Sequence, residues 1–249
     1  MSPDGSTLAP GVRLDDPAVI ARFDALLDRL VPLLVRHGGF YLGVGNEVDE
    51  RFREFPSELE PYLAFVAAVR AHAHTVEPGL AVGATMTRGA VLEGGVVFTR
   101  LRAITDAVPF TFYDVDPASF FVTDAARALA DLDRTIARYG NGPVIIQELG
   151  CPSSAAMNSS AELQRACFQA YFDALPRYPQ VRFVSVFTLQ DLDGATCDAV
   201  VSFFGFGDEG LPPDVVARLR GFVCEVGLVA ADGAPKPAWD VFLNAVGGG

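Results

Sequence analysis

The stretch Phe40-Tyr-Leu-Gly-Val-Gly-Asn46-Glu47 decides how the rest of the chain is read. Phe40–Gly45 is a short apolar run with no room for a helical repeat, and it reads as a buried strand. Its two glycines open a G-x-G pattern, but a dinucleotide fingerprint needs a third glycine at position 48, which is Val48. A nucleotide loop is therefore excluded. What remains is a strand that delivers Asn46 and Glu47 at its C-terminal end.

Working outward, four more runs have the same character: Leu80–Thr85, Pro109–Val115, Pro143–Glu148 and Arg182–Thr188. The five starts step by 29 to 40 residues, close to the roughly 31 per unit of a typical eightfold β/α barrel. Amphipathic stretches fill the intervals. Asp16-Pro17 supplies a cap and an N1 proline for a helix carrying Val19, Ile20, Phe23, Leu26, Leu27, Leu30 and Leu34, with a kink or break expected at Pro32. Ser57-x-x-Glu60 reads as a capping box for a helix ending near Thr75, Thr123 and Ser160 as caps of two more, and Gly140 as a C′ residue. No linker or composition break interrupts the pattern, so residues 1–249 are expected to form a single domain. The fold class is α/β, of the (β/α)8 TIM-barrel type, with about five recognisable strands. Only 39 residues precede the first strand, so the barrel is expected to be incomplete at its N-terminus and to expose an open sheet edge through which copies would associate.

With 19 basic against 31 acidic residues the formal charge is −12, which repels phosphate backbones and anionic surfaces and argues against nucleic-acid and membrane partners. Met1–Pro10 has neither the basic nor the apolar region of a signal peptide, so the chain as written reads as cytoplasmic, and as secreted if an N-terminal segment is missing. Cys151, Cys167, Cys197 and Cys224 form no C-x-x-C pair; they read as buried free thiols, with one or two disulfides as the alternative in an oxidising compartment. His72 and His74 stand at i,i+2 on an expected helix and face different ways, and neither they nor His37 suggest a metal site. No cofactor is expected.

A second strand, Pro143–Glu148, ends in Gln147-Glu148-Leu-Gly150. Carboxylates at the C-terminal ends of two parallel strands point into the mouth of a barrel, and a pair of them is the minimum equipment for glycoside hydrolysis. Asn46-Glu47 after one strand, Phe112-Tyr113-Asp114 two strands later and Glu148-x-Gly150 one strand after that resemble the fourth, sixth and seventh strands of the clan A retaining glycoside hydrolases. The resemblance runs from about Gly39 to Phe242, and Lys236-Pro-Ala-Trp239 is similar to the tail of such barrels. It implies a β-linked carbohydrate substrate cleaved by double displacement. Glu47 would be the general acid/base, Glu148 the nucleophile, Asn46 a hydrogen-bond partner of the sugar 2-hydroxyl, and Tyr113 the donor that holds Glu148 ionised and oriented. Asp114 and Gln190 are further expected sugar contacts, while Asp116, Asp191 and Asp193 are sugar contacts or loop turns.

The clan's tryptophan at the eighth strand has no expected counterpart ring in Phe187–Asp191, and the arginine that family members place near the nucleophile comes from early strands not found in this sequence. The competing reading is a catalytically impaired or non-catalytic partial barrel that binds carbohydrate or self-associates. An aldolase-type barrel is disfavoured, because the only lysine, Lys236, lies beyond the last strand.

Overall fold

Residues 11–205 and 211–247 are described by a computed structural model; the reading of Met1–Pro10 falls outside them. In chain order they form α1 (Pro17–Arg36), β1 (Tyr41–Gly43), α2 (Val48–Glu54), α3 (Leu59–Val76), β2 (Ala81–Gly83), β3 (Met86–Thr87), α4 (Arg88–Glu93), α5 (Val96–Ile104), β4 (Phe110–Tyr113), α6 (Ala125–Ala137), β5 (Val144–Gly150), α7 (Ala161–Ala174), β6 (Val181–Val186), α8 (Gly194–Phe203), α9 (Pro213–Cys224) and α10 (Pro237–Gly247). All five expected strand regions are present. The second path gains an extra piece, β3, because Ala84 and Thr85 leave the ladder to serve the loop after β1: Thr85 N–H donates to the Gly45 carbonyl at 3.0 Å, and Val48 N–H donates to the Thr85 carbonyl at 3.1 Å.

Three expected helix details are corrected. α1 runs through Pro32 without a break, starting from the Asp16 side chain that accepts from Ala18 N–H. Ser57 makes no capping box: Pro56–Glu58 is a 3-10 turn, and Glu60 instead pairs with Arg100. Asp124, not Thr123, caps α6 by accepting from Arg127 N–H at 2.9 Å. Ser160 caps α7 as expected, accepting from Leu163 N–H at 3.2 Å, and Gly140 sits past α6 at φ +59°.

The chain divides into two compact units, Met1–Thr111 with Ala137–Gln147, and Phe112–Ile136 with Glu148–Gly249. In the first, β1 and β2 are parallel with Tyr41 opposite Ala81 and Gly43 opposite Gly83, and β3 and β4 are parallel with Thr87 opposite Thr111. Gly83 is required by close approach, since a Cβ there would sit 1.9 Å from the Ala107 carbonyl oxygen. α3 packs against β2, and α1 packs against α3. Leu27 and Val31 of α1 and Val66 and Val69 of α3 are fully buried, and Phe23 packs edge-on to Phe65 at 5.0 Å. Each such side chain contributes roughly 1.5–3 kcal/mol by leaving water. The apolar stripe of α1 is wider than its buried face, for Leu26, Leu30 and Leu33 are exposed.

In the second unit Glu148–Gly150 at the end of β5 neighbour β6, with Phe187 N–H donating to the Leu149 carbonyl just past β6. Phe112 meets Tyr171 of α7 edge-on at 5.6 Å, both buried, and α7 packs along α10 through Phe172 and Phe242. The free-thiol reading is overturned: Cys151 pairs with Cys167 and Cys197 with Cys224, at Cα separations of 6.5 and 5.6 Å. One bridge ties the segment after β5 to α7 and the other ties α8 to the end of α9, and neither pairing is encoded in sequence spacing.

Candidate active site

In the first unit the loop after β1 carries Asn46, exposed, and Glu47, half-buried. Glu47 adopts the left-handed region, φ 47° and ψ 45°, at the N-cap of α2 and makes no capping bond. A side chain in that region costs about 1–2 kcal/mol, so the surroundings must hold it there. They do so on both sides. Asp49, 6% exposed, accepts from Thr87 N–H at 2.8 Å and from the Thr87 hydroxyl at 2.7 Å, fixing α2 to β3. The Thr111 hydroxyl donates to Glu47 Oε1 at 2.6 Å. Asn46 Oδ1 accepts from Gln147 Nε2 at 2.9 Å, and Gln147 Oε1 in turn accepts from the Thr85 hydroxyl.

The second unit holds Glu148 differently. The Tyr113 hydroxyl donates to Glu148 Oε2 at 2.6 Å. Gly150 lets the ring lie against the strand, as a Cβ there would come within 2.4 Å of Tyr113 Cε1. The other edges of that ring meet Phe222 at 4.9 Å and Phe187 at 6.3 Å, both edge-on. Phe187, just past β6, is 42% exposed. Phe120, also left-handed at φ 57°, packs on Phe222.

The remaining expected contacts are distributed in several ways. Asp114 is buried at 2% exposure, and its carbonyl accepts from Thr123 N–H and hydroxyl, which places its carboxyl away from solvent. Gln190 is exposed and donates to the Ala231 carbonyl at 3.0 Å. Asp116 closes its own turn on Ala118 and Ser119, and Asp193 caps α8; hydrogen bonds from the Ser119 and Thr196 amides, respectively, hold these two carboxyls below the usual range. Asp191 is paired with Lys236, each about nine-tenths buried. His72 contacts Asp28, while His74 contacts the Leu80 carbonyl and Asp106. The closest approach to a metal cluster among the described residues is Asp114 with Cys151 and Cys167, but both thiols are consumed in a disulfide and offer no thiolate.

Thr111, Thr85 and Asp49 carry no assignment from the sequence. Gln147 was visible beside Glu148 without a role. Strand alternation around Phe112 would have flagged Thr111, which shares a strand face with Tyr113.

No protein-family model and no curated protein matches the chain. Solved structures do. A GH5_18 protein of Bifidobacterium longum, in complex with Manβ1-4GlcNAc, superposes with a TM-score of 0.65 at 15% identity, over 95% of this chain and 54% of that one. The fold is that of the TIM-barrel glycosidases. GH5_18 of Streptomyces cattleya in complex with GlcNAc gives 0.62 at 20% identity, over 93% and 54%, and a Bacteroides uniformis β-glucuronidase gives 0.61 at 18%, over 92% and 25%. The chain thus spans about half the length of the GH5_18 structures and a quarter of the β-glucuronidase. Among the described residues no helix is long and apolar enough to cross a membrane.

Proposed function

We propose that the chain is a retaining glycoside hydrolase acting on a β-linked glycan, with Glu148 as nucleophile and Glu47 as general acid/base. The observation that carries this reading is the 2.6 Å hydrogen bond from the Tyr113 hydroxyl to Glu148 Oε2. It fixes one carboxylate oxygen and leaves Oε1 to attack the anomeric carbon, the arrangement a glycosyl-enzyme intermediate requires. Glu47 would protonate the departing glycosidic oxygen and then remove a proton from the water that resolves the intermediate. Its left-handed backbone and the Thr111 donor support this role, because strain is kept where a side chain must point one way. Asn46 would donate to the sugar 2-hydroxyl, Phe187 would give the sugar an apolar face, and Gln190 would contact its rim. The buried Asp114 carboxyl would act through its loop rather than on the substrate. The GH5_18 structures bound to GlcNAc and Manβ1-4GlcNAc lend support to carbohydrate as the ligand class.

Incubation with activated 2-fluoro-glycosides followed by intact-mass measurement tests the reading. A covalent adduct mapping to Glu148 and abolished by Glu148→Gln is expected. No adduct with any sugar, on folded protein, would leave a non-catalytic barrel. Self-association is the second reading, supported by the exposed Leu26, Leu30 and Leu33 of α1. A monodisperse monomer in light scattering at high concentration would remove it.

A further inference from the structure

A line of side chains in the first unit runs from a buried phenol to the exposed Asn46. Tyr41 stands on β1 beside Thr85; its hydroxyl is buried, which pushes its ionisation up, and it does not reach full hydrogen-bond geometry with any partner. Thr85 is 0% exposed and donates to Gln147 Oε1. Gln147 Nε2 donates to Asn46 Oδ1 at 2.9 Å.

The direction of this line has a chemical consequence. Run in reverse, Asn46 Nδ2 would donate to Gln147 Oε1, Gln147 Nε2 to Thr85, and the Thr85 hydroxyl to Tyr41. The Tyr41 proton would then face no acceptor at all, at a buried position where an unmade hydrogen bond costs about 1–3 kcal/mol. Run forward, Thr85 and Gln147 each spend their donor on the next acceptor in the line, and the Thr85 oxygen, its proton turned away, is left as the acceptor the Tyr41 hydroxyl can approach. The Asn46 carbonyl is then occupied, and only its Nδ2–H groups are offered to solvent.

We propose that Gln147, backed by Thr85 and Tyr41, is a positioning residue that locks the Asn46 amide with its N–H donor outward, so that the site takes glycosides bearing a hydroxyl acceptor at C2 and discriminates against 2-deoxy sugars. This rests on the glycosidase reading above. A hydrogen bond to the 2-hydroxyl strengthens toward the transition state, so a correctly turned amide acts on rate.

Hydrolysis of 2,4-dinitrophenyl β-glucoside and β-mannoside is compared with that of their common 2-deoxy analogue, for the unaltered chain, Gln147→Glu and Thr85→Val. The carboxylate introduced by Gln147→Glu accepts but does not donate, and it should turn the Asn46 amide around. The ratio of kcat/KM between 2-hydroxy and 2-deoxy substrates should fall about tenfold in Gln147→Glu, the equivalent of one hydrogen bond, and in the same direction but less in Thr85→Val. Equal losses on both substrates would mean a merely structural role and would overturn the proposal. Independently of turnover, the Gln147 side-chain amide protons in NMR should exchange slowly in the unaltered chain and fast in Thr85→Val. Fast exchange in the unaltered chain would overturn the relay. Slow exchange with no hydrolysis of any glycoside would uphold the relay as structure and bring down the glycosidase reading with the substrate preference built on it.

Discussion

The two units each present a glutamate at a strand end, and they hold it with different chemistry. In the first, Glu47 is kept in a left-handed conformation by hydroxyl and carboxylate hydrogen bonds from Thr111, Thr87 and Asp49. In the second, Glu148 meets one phenol that is itself packed among Phe187 and Phe222, in a unit carrying both disulfides. Hydrogen-bonded loops are directional and depend on every partner, whereas rings and covalent bridges tolerate the loss of any one polar group. The first unit should therefore respond to point changes in polar residues and to pH, and the second to reductant.

The largest break in this comparison is removal of a bridge. Cys197→Ser with Cys224→Ser should cost about 2–5 kcal/mol, and hydrogen exchange should show protection lost in α8 and α9 while α1 and α3 keep theirs. Equal loss in both units would erase the contrast. Next comes Asp49→Ala, which strips two hydrogen bonds from Thr87 and should destabilise by about 2–3 kcal/mol in urea unfolding at an unchanged slope. Tyr113→Phe removes the hydroxyl that donates to Glu148 but keeps the ring's packing. It should lower kcat roughly tenfold, about 1.4 kcal/mol, with a melting temperature nearly unaltered.

The smallest effect is acid sensitivity in the first unit. Burial would raise the Asp106 carboxyl, but the Arg70 guanidinium, the Val82 amide and His74 outweigh it and hold the group below the ordinary aspartate range. A depressed carboxyl adds stability above its unfolded value of about 3.9, and that stability is lost as pH falls through the lower folded value. Asp106→Asn should therefore flatten the fall in unfolding free energy between about pH 5 and pH 3, measured by urea titration at each pH.

The strand positions were legible because runs such as Pro143–Glu148 are apolar on both faces, which few other structures require. Glu47 stands out in the sequence because it follows such a run, and Tyr113 and Glu148 because they lie at or near the C-terminal ends of theirs. Thr111 was not, since its partner Glu47 lies 64 residues away in sequence and a lone threonine in a strand is unremarked. Nor was the role of Gln147, whose bond to Asn46 spans 101 residues. The failed box at Ser57 shows local preference yielding to surroundings, as Pro56 starts a tighter turn and Arg100 takes Glu60. The cysteine spacings leave free thiols and bridges both open, because burial and bridging look alike until the Cα distances are known.

Lys236 is the only lysine in the chain, and its ammonium sits against Asp191 and the Ser153 hydroxyl at about one-tenth exposure. An amine enclosed against a carboxylate and a hydroxyl is out of reach of activated esters, and with no other ε-amine in this sequence its side chains offer almost nothing to acylating labels or aldehyde fixation.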